Sequence, residues 1–227
     1  MAQELIVFDM DGVLVDVSES YRETIVRTVE HFTGAGITRE QIQDYKNQGG
    51  FNDDWKLSHQ VIAGRGVTVD FQTVVDYFQG LFHGNGDHDG LILRERWIAR
   101  DGLLDRLARR FDFALFTGRM RWEAERTLHR FAAALRFDPI IGMNEVTELK
   151  PAPEGLLKIV AEAGGRSVLC YIGDTKDDAR CARAAGVPFI GICAPHSPHR
   201  AELAALLAQE GAIAVLDDIN HLEGVLA

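Results

Sequence analysis

Cysteine is scarce in this 227-residue chain, at three residues, Cys170, Cys181 and Cys193. An odd number without a C-x-x-C spacing argues against both a disulfide framework and a zinc site. Cys170 and Cys193 lie in apolar runs and are expected as packed thiols. Proline is also sparse, with 6 residues, and the composition is that of a globular chain rather than a disordered or fibrous one. No apolar stretch approaches the roughly 20 residues that span a bilayer. The opening Met1-Ala2-Gln3-Glu4 leads into a short apolar run, without the basic start and long hydrophobic region of a secretory signal. A reducing cytoplasm is the expected compartment. Positive charge is deficient: 24 Lys and Arg face 34 Asp and Glu, a formal net charge of -10. That balance repels a phosphodiester backbone and an anionic bilayer, so neither nucleic acid nor membrane is expected as a partner. One arginine-rich stretch, Arg94 to Arg130, is interleaved with acids such as Glu95, Asp105, Glu123 and Glu125 at helical spacing. It reads as a solvated helix face with mixed ion pairs.

What is present is apolar residue, 46% of the chain, in short runs each followed by a turn and a segment of helical periodicity. That is the pattern of a parallel sheet covered by helices. Strands are expected at Leu5–Phe8, Phe113–Thr117, Pro139–Gly142, Val168–Ile172, Val187–Ile192 and Ile213–Leu216, buried on both faces. Helices are expected at Leu103–Arg110, Arg121–Leu135, Pro153–Ala163, Lys176–Ala185 and Arg200–Glu210. From Ser18 to Arg100 no strand-like run occurs. Tyr21, Ile25, Val29 and Phe32 recur at i, i+4, Trp55, Val61 and Ile62 belong to a second amphipathic stretch, and Phe71, Val74, Val75, Phe78, Leu81 and Phe82 to a third. The expected architecture is therefore α/β, a Rossmann-like doubly wound parallel sheet (1–17 and 100–227), with an α-helical cap inserted after the first strand (18–99).

In an open parallel sheet, the loops beyond the carboxyl ends of the strands line the ligand crevice. After the first strand come Asp9-Met10-Asp11-Gly12, two carboxylates two residues apart. Burying both without compensation is costly, and a hard cation such as Mg²⁺, which takes carboxylate and phosphate oxygens, would offset that cost. A plain Asp11-Gly12 turn explains one acid but not the pair. After the second strand, Thr117-Gly118-Arg119 offers a hydroxyl, backbone N–H groups and a guanidinium to phosphate oxygens, or else a simple cap. Lys150 precedes Pro151-Ala152-Pro153, at the entry to a helix starting near Pro153. Gly173-Asp174-Thr175-Lys176-Asp177-Asp178 places three acids where a helix N-cap needs one.

These four segments, in this order, resemble the motif set of the haloacid dehalogenase superfamily, and the resemblance covers essentially the whole chain. It implies that Asp9 is a nucleophile forming an aspartyl-phosphate and that Asp11 is the general acid, then base. It implies a Mg²⁺ site of Asp9, the Asp11 main-chain carbonyl and Asp174, with Asp178 as a further or supporting acid. Asp177 and Asp178 both fit the last acid of the pattern, and Asp178 is weighted higher. Thr117, Gly118 and Lys150 would hold the phosphoryl oxygens. In the cap, Asn47–Trp55, with Gly49, Gly50 and Asn52, is the candidate substrate-reaching segment. The expected substrate is a small phosphorylated metabolite of the kind taken by phosphoglycolate and sugar phosphatases. Asp11 separates this chain from the dehalogenases, which lack an acid there. A sugar phosphomutase would look nearly the same. A phosphonate hydrolase would need a cap lysine, for which Lys46 and Lys56 are candidates by type. A non-catalytic binding protein on the same fold is the alternative of a different class.

Asn85-Gly86-Asp87-His88-Asp89-Gly90 imitates the start of a calcium loop, but its twelfth position is Arg96 rather than Glu, so a surface loop is expected. His83, His88, His196 and His199 have no metal-ligand spacing.

Overall fold

The computed structural model of the chain describes residues 4–85 and 89–226. Residues 86–88 of the calcium-loop imitation, His88 among them, lie outside the described residues. Two compact units divide the chain, Met1–Val15 with Trp97–Ala227, and Asp16–Arg96.

The first unit is built on a six-stranded sheet, β1 (Glu4–Phe8), β4 (Phe111–Phe116), β5 (Phe137–Ile141), β6 (Val168–Gly173), β7 (Phe189–Ile192) and β8 (Ala214–Leu216). Its order is β5-β4-β1-β6-β7-β8, every pair parallel. The expected doubly wound sheet is thus present. β1 is central, and the chain proceeds outward to β4 and β5 before crossing back to β6 on its other side. That reversal leaves a crevice beyond the carboxyl ends of β1, β4 and β6. Thr117, expected as the last residue of β4, is the first beyond it.

Alternating strand residues serve the two faces. Leu5, Val7, Ala114, Phe116 and Tyr171 join one buried cluster with Leu156 and Ile159 of α7 (Glu154–Glu162), Ala179 and Ala182 of α8 (Lys176–Ala185), and Leu203 and Leu207 of α9 (Arg200–Gln209). On β1, Ile6 and Phe8 are buried as completely as Leu5 and Val7, and Phe8 meets Phe113 edge-on at 5.2 Å between ring centroids. The residues from α5 (Leu103–Leu107) and α6 (Arg121–Ala132) that are buried include Leu103, Leu104, Leu107, Ala124 and Leu128. Gly155 in the first turn of α7 has no room for a side chain, since a Cβ there would overlap the Phe116 ring. Cys170 and Cys193, the expected packed thiols, are buried, and so is Cys181; burial pushes Cys170 and Cys181 up to about 12.

The second unit is helical, with α1 (Tyr21–Thr33), α2 (Arg39–Gln48), α3 (Asp54–Gly64) and α4 (Phe71–His83). The chain enters it through β2 (Val15–Asp16) and leaves through β3 (Arg96–Trp97), two short strands that pair. Tyr21 stacks on Phe82 at 4.0 Å and nears Phe78 at 6.1 Å, joining α1 to α4. The helix α2 was absent from the periodicity reading because it has little apolar residue to display. Its signal is a capping box, Thr38 receiving the Gln41 N–H while the Gln41 side chain returns to the Thr38 N–H. It corrects the extent of the segment expected at 47–55: Asn47 and Gln48 belong to the last turn of α2, Asn47 buried and bonded to Gln43, while Asp54 and Trp55 open α3 under the cap of Asp53. No helix of the described residues is long and apolar enough to cross a membrane.

Glu154, at the start of α7, pairs with Lys158 at 2.8 Å and accepts the N–H groups of Thr147 and Glu148, each at 2.8 Å. The Lys158 bond, followed by the two backbone bonds, holds its carboxyl down at about 2. A depressed folded-state value means stability present above the unfolded value and lost as pH falls through the folded one. Wild type should therefore lose stability between about pH 4.5 and about pH 2, and Glu154→Gln should flatten that slope, read from urea midpoints across the acid range.

Candidate active site

Three strand ends deliver the site. β1 ends at Phe8, and the next residue, Asp9, is 4% exposed. Its Oδ1 accepts the Met10 N–H at 2.7 Å and lies 3.2 Å from Lys150 Nζ. β6 runs into Gly173 and Asp174. Ligand atoms of Asp9, Asp174 and Asp178 all lie within 4.8 Å of one another, the group of acids among the described residues that could hold a metal ion. Gly12 sits at φ 73°, and a Cβ there would overlap the Asp174 carboxylate. Glycine is therefore required both by the left-handed backbone and by the close approach of that acid.

Lys150 is the counter-charge. Its ammonium reaches Asp178 Oδ1 at 2.9 Å and Asp9 Oδ1 at 3.2 Å, and donates to the Phe116 carbonyl at 3.1 Å. It lies 4.6 Å from the Phe116 ring centroid, a cation–π contact. With three donors directed at three oxygens, Lys150 in this state is spent on the acids and the β4 carbonyl, where the sequence reading placed phosphoryl oxygens. Burial works against its charge, yet Asp178 and Asp9 hold its pKa above the ordinary lysine value.

Asp178 is the most fully bonded member. Its Oδ1 accepts the Tyr171 hydroxyl at 2.7 Å as well as Lys150, and its Oδ2 accepts the Thr175 N–H at 3.0 Å and the Thr175 hydroxyl at 2.5 Å. Four donors fill the lone-pair directions of a carboxylate. Burial would raise its pKa, but Lys150, Thr175 and Tyr171 together bring it below the usual range. Asp178 thus acts as the brace that holds Lys150. The same residue completes the capping box of α8 with Thr175. Cap and brace are one side chain, and between the two acids that the sequence left open it is Asp178 that joins the cluster. Asp177 is buried in the first turn of α8.

Asp9 has the opposite balance. Burial pushes its carboxyl well above the usual range, and Asp178, Asp174 and Asp11 push the same way against Lys150.

Arg119 departs from the sequence reading. The Asp11 side chain, expected as an acid rather than a metal ligand, lies outside the group of Asp9, Asp174 and Asp178; its Oδ1 accepts both Nε of Arg119 at 2.8 Å and Nη2 at 2.5 Å. Arg119, grouped above with the phosphate donors and the solvated arginines, is 1% exposed and turns to this acid. Its neighbours fit the solvated reading: Arg106 pairs with Glu223 and Arg121 with Glu125 and Glu145 at the surface. Thr117, also buried, accepts the Arg119 N–H at 3.2 Å, which leaves its own hydroxyl proton to donate. Gly118 follows it in the turn before α6. Tyr171 is the residue the sequence reading missed. A tyrosine in an otherwise apolar buried strand, three residues before Asp174, needs a hydroxyl partner, and that need was the available signal.

The haloacid dehalogenase-like hydrolase family pattern matches residues 3–186. The chain belongs to that family. It is 31% identical over 227 aligned residues to an imidazoleglycerol-phosphate dehydratase of Phytophthora nicotianae, covering 94% of this chain but 50% of that protein, half its length. It is 28% identical over 185 residues to a phosphoglycolate phosphatase of Cereibacter sphaeroides strain ATCC 17029, 81% of this chain and 82% of that one. The crystal structure of a predicted phosphoglycolate phosphatase from Haemophilus somnus shares the fold, with TM-score 0.75, 18% identity and full coverage of both chains.

Asp178→Asn keeps the shape but sets an amide NH₂ against existing donors and strips Lys150 of its brace. Breaking a buried pair from one side costs about 3–5 kcal/mol, so the denaturant midpoint should fall accordingly. An unchanged midpoint would mean that Asp178 does not brace Lys150.

Proposed function

We propose that this haloacid dehalogenase-like hydrolase is a Mg²⁺-dependent phosphatase that cleaves a small phosphomonoester through a covalent phosphoryl group on Asp9. The observation that carries this reading is the state of Asp9: buried at the end of β1, Oδ1 fixed by the Met10 N–H and Lys150, and Oδ2 without a hydrogen bond from the described residues. A nucleophile needs one oxygen held and the other open to the phosphorus.

The residues fit a hard divalent cation. Asp9, Asp174 and Asp178 carry three carboxylates against the single ammonium of Lys150, and the raised Asp9 is the mark of charge still to be offset. Gly12 leaves room for Asp174 where a Cβ would exclude it. Asp9, Asp174 and the Asp11 main-chain carbonyl would hold the ion, with Asp178 supporting from behind. When bound, Mg²⁺ supplies charge neutralisation for the transferring phosphoryl oxygens.

In the first step an Asp9 oxygen attacks phosphorus, the bond to the leaving oxygen breaks, and Asp11 passes a proton to that oxygen. In the second, Asp11 takes a proton from water as the water attacks phosphorus, releasing phosphate and restoring Asp9. The Thr117 hydroxyl, the backbone at Gly118 and Lys150 are assigned to the equatorial oxygens. Choice of substrate is assigned to Gly49, Gly50 and Asn52 in the loop between α2 and α3, where both glycines hold positive φ. Lys46, a candidate Schiff-base lysine by type, is buried and bonded to Asp54 at 2.5 Å, which disfavours it for that role.

The test is a substrate panel with purified protein and Mg²⁺. p-Nitrophenyl phosphate and 2-phosphoglycolate lead it, the second because of the relative named for that ester. Imidazoleglycerol phosphate joins them because another relative's name carries it, and glucose 1-phosphate with its bisphosphate tests for mutase transfer. Asp9→Asn should reduce hydrolysis by at least about 10³-fold; activity surviving it would sink the covalent reading. Because the Asp9 value is raised in the fold, its ionisation costs stability as pH rises through that value. The same variant should therefore melt a few degrees higher than wild type in EDTA at neutral pH.

A further inference from the structure

The geometry points to Arg119 as the positioning residue of the leaving-group acid: it fixes the Asp11 carboxylate by one oxygen and so presents the other to the substrate. This rests on the reading of Asp11 as the acid that protonates the leaving oxygen.

The side chain of Arg119 is 0% exposed and that of Asp11 is 28% exposed. The guanidinium is held from behind, Nη1 donating to the Thr127 hydroxyl of α6 at 3.0 Å, and Thr127 is itself buried. Its backbone is held as well, through the bond of the Arg119 N–H to Thr117 Oγ1. From that anchored position Nε and Nη2 both end on Oδ1 of Asp11. A guanidinium and a carboxylate usually meet side by side, each oxygen taking one N–H. Here one oxygen takes both, and Oδ2 receives no hydrogen bond from the described residues. The arrangement fixes rotation of the carboxylate while leaving an oxygen on its partly exposed side able to hand over a proton.

Phosphate binding is the other use of an arginine at this place, and the two uses separate in kinetics. As the P–O bond to the leaving group breaks and the Asp9 O–P bond forms, an alkoxide needs the proton from Asp11, whereas p-nitrophenolate leaves well without it. Since kcat/KM reports steps up to transfer of the phosphoryl group, a misplaced acid penalises alkyl esters selectively. A lost phosphate contact, or a general loosening of the site, penalises both esters alike. General acid–base catalysis is worth about 10² to 10⁴ in rate, and displacing a group by about 1 Å can cost about 10².

The experiment measures kcat/KM for p-nitrophenyl phosphate and for the best alkyl phosphate of the panel, in wild type, Arg119→Met, Arg119→Lys and Thr127→Val. The expected result is that the ratio of the two constants shifts by about 30-fold or more against the alkyl ester in Arg119→Met. Thr127→Val, which keeps the guanidinium and removes its anchor, should shift the ratio in the same direction by a smaller factor. Arg119→Lys restores charge but not the two-pronged grip, and should recover little of the ratio. Thermal unfolding checks that each variant is folded; should Arg119→Met not fold, Thr127→Val carries the comparison. An equal loss on both esters, or no change in the ratio, overturns the assignment. Wild-type protein inactive on every ester would instead be a failure of the phosphatase reading, distinguishable because no ratio exists to shift.

Discussion

The structure depends on one electrostatic constraint: a single buried ammonium, Lys150, must hold together carboxylates from two strand ends. Asp9 comes from β1 and Asp178 from the helix that follows β6, and both lie within 3.2 Å of its Nζ. A buried charge without partners is among the costliest groups a fold can carry, and a well-bonded one costs far less. The third donor of Lys150 goes to the Phe116 carbonyl, at the last residue of β4. One side chain therefore ties together the ends of the three strands that form the crevice. The parallel sheet supplies the ends, and Lys150 keeps them in register with one another.

The two acids on Lys150 are kept unlike. Asp178 receives four donors and its pKa sits below the ordinary range, while Asp9 shares Oδ1 between a backbone N–H and the lysine and is driven upward by burial. The difference follows from the surroundings rather than from residue type. Tyr171 and Thr175 are both aimed at Asp178, so that acid is complete in itself. Asp9 is left short of compensation at the open end of the crevice. A site that leaves one carboxylate unsatisfied stores free energy there, which binding of a cation can recover.

The sheet and its six strands were legible because burial on both faces writes strands as continuous apolar runs, and because helical segments separate them at regular intervals. The acids were legible because several carboxylates at one strand end have few structural uses. Helix α2 was not, since Arg39–Gln48 presents a short polar surface whose only clear mark is the Thr38–Gln41 box. The roles of Arg119 and Tyr171 were hidden for a different reason. Residue type and loop position say that a guanidinium or a hydroxyl can donate, but the acceptor is chosen by tertiary approach: Asp11 and Asp178 lie 108 and 7 residues away along the chain. A spacing pattern records neither distance.

Asp9 and Asp11 show what that tertiary choice accomplishes. They are two residues apart, carry the same group and follow the same strand, yet their environments are divided almost completely. Asp9 is closed in, 6% exposed at its side chain and paired with an ammonium that it shares; Asp11 is 28% exposed and paired with a guanidinium anchored on α6. On the proposed reading, attack needs a carboxylate held fixed at the phosphorus, while proton transfer needs one that can exchange with substrate and water. Gly12 takes up a left-handed turn just after Asp11, and the two side chains end on different cations instead of competing for one. Had Asp11 also faced Lys150, four acids would have crowded around one positive charge, and neither separation of roles nor burial of Asp9 would have been affordable. The second cation, Arg119, is therefore as much a condition for the Asp9 site as it is for Asp11.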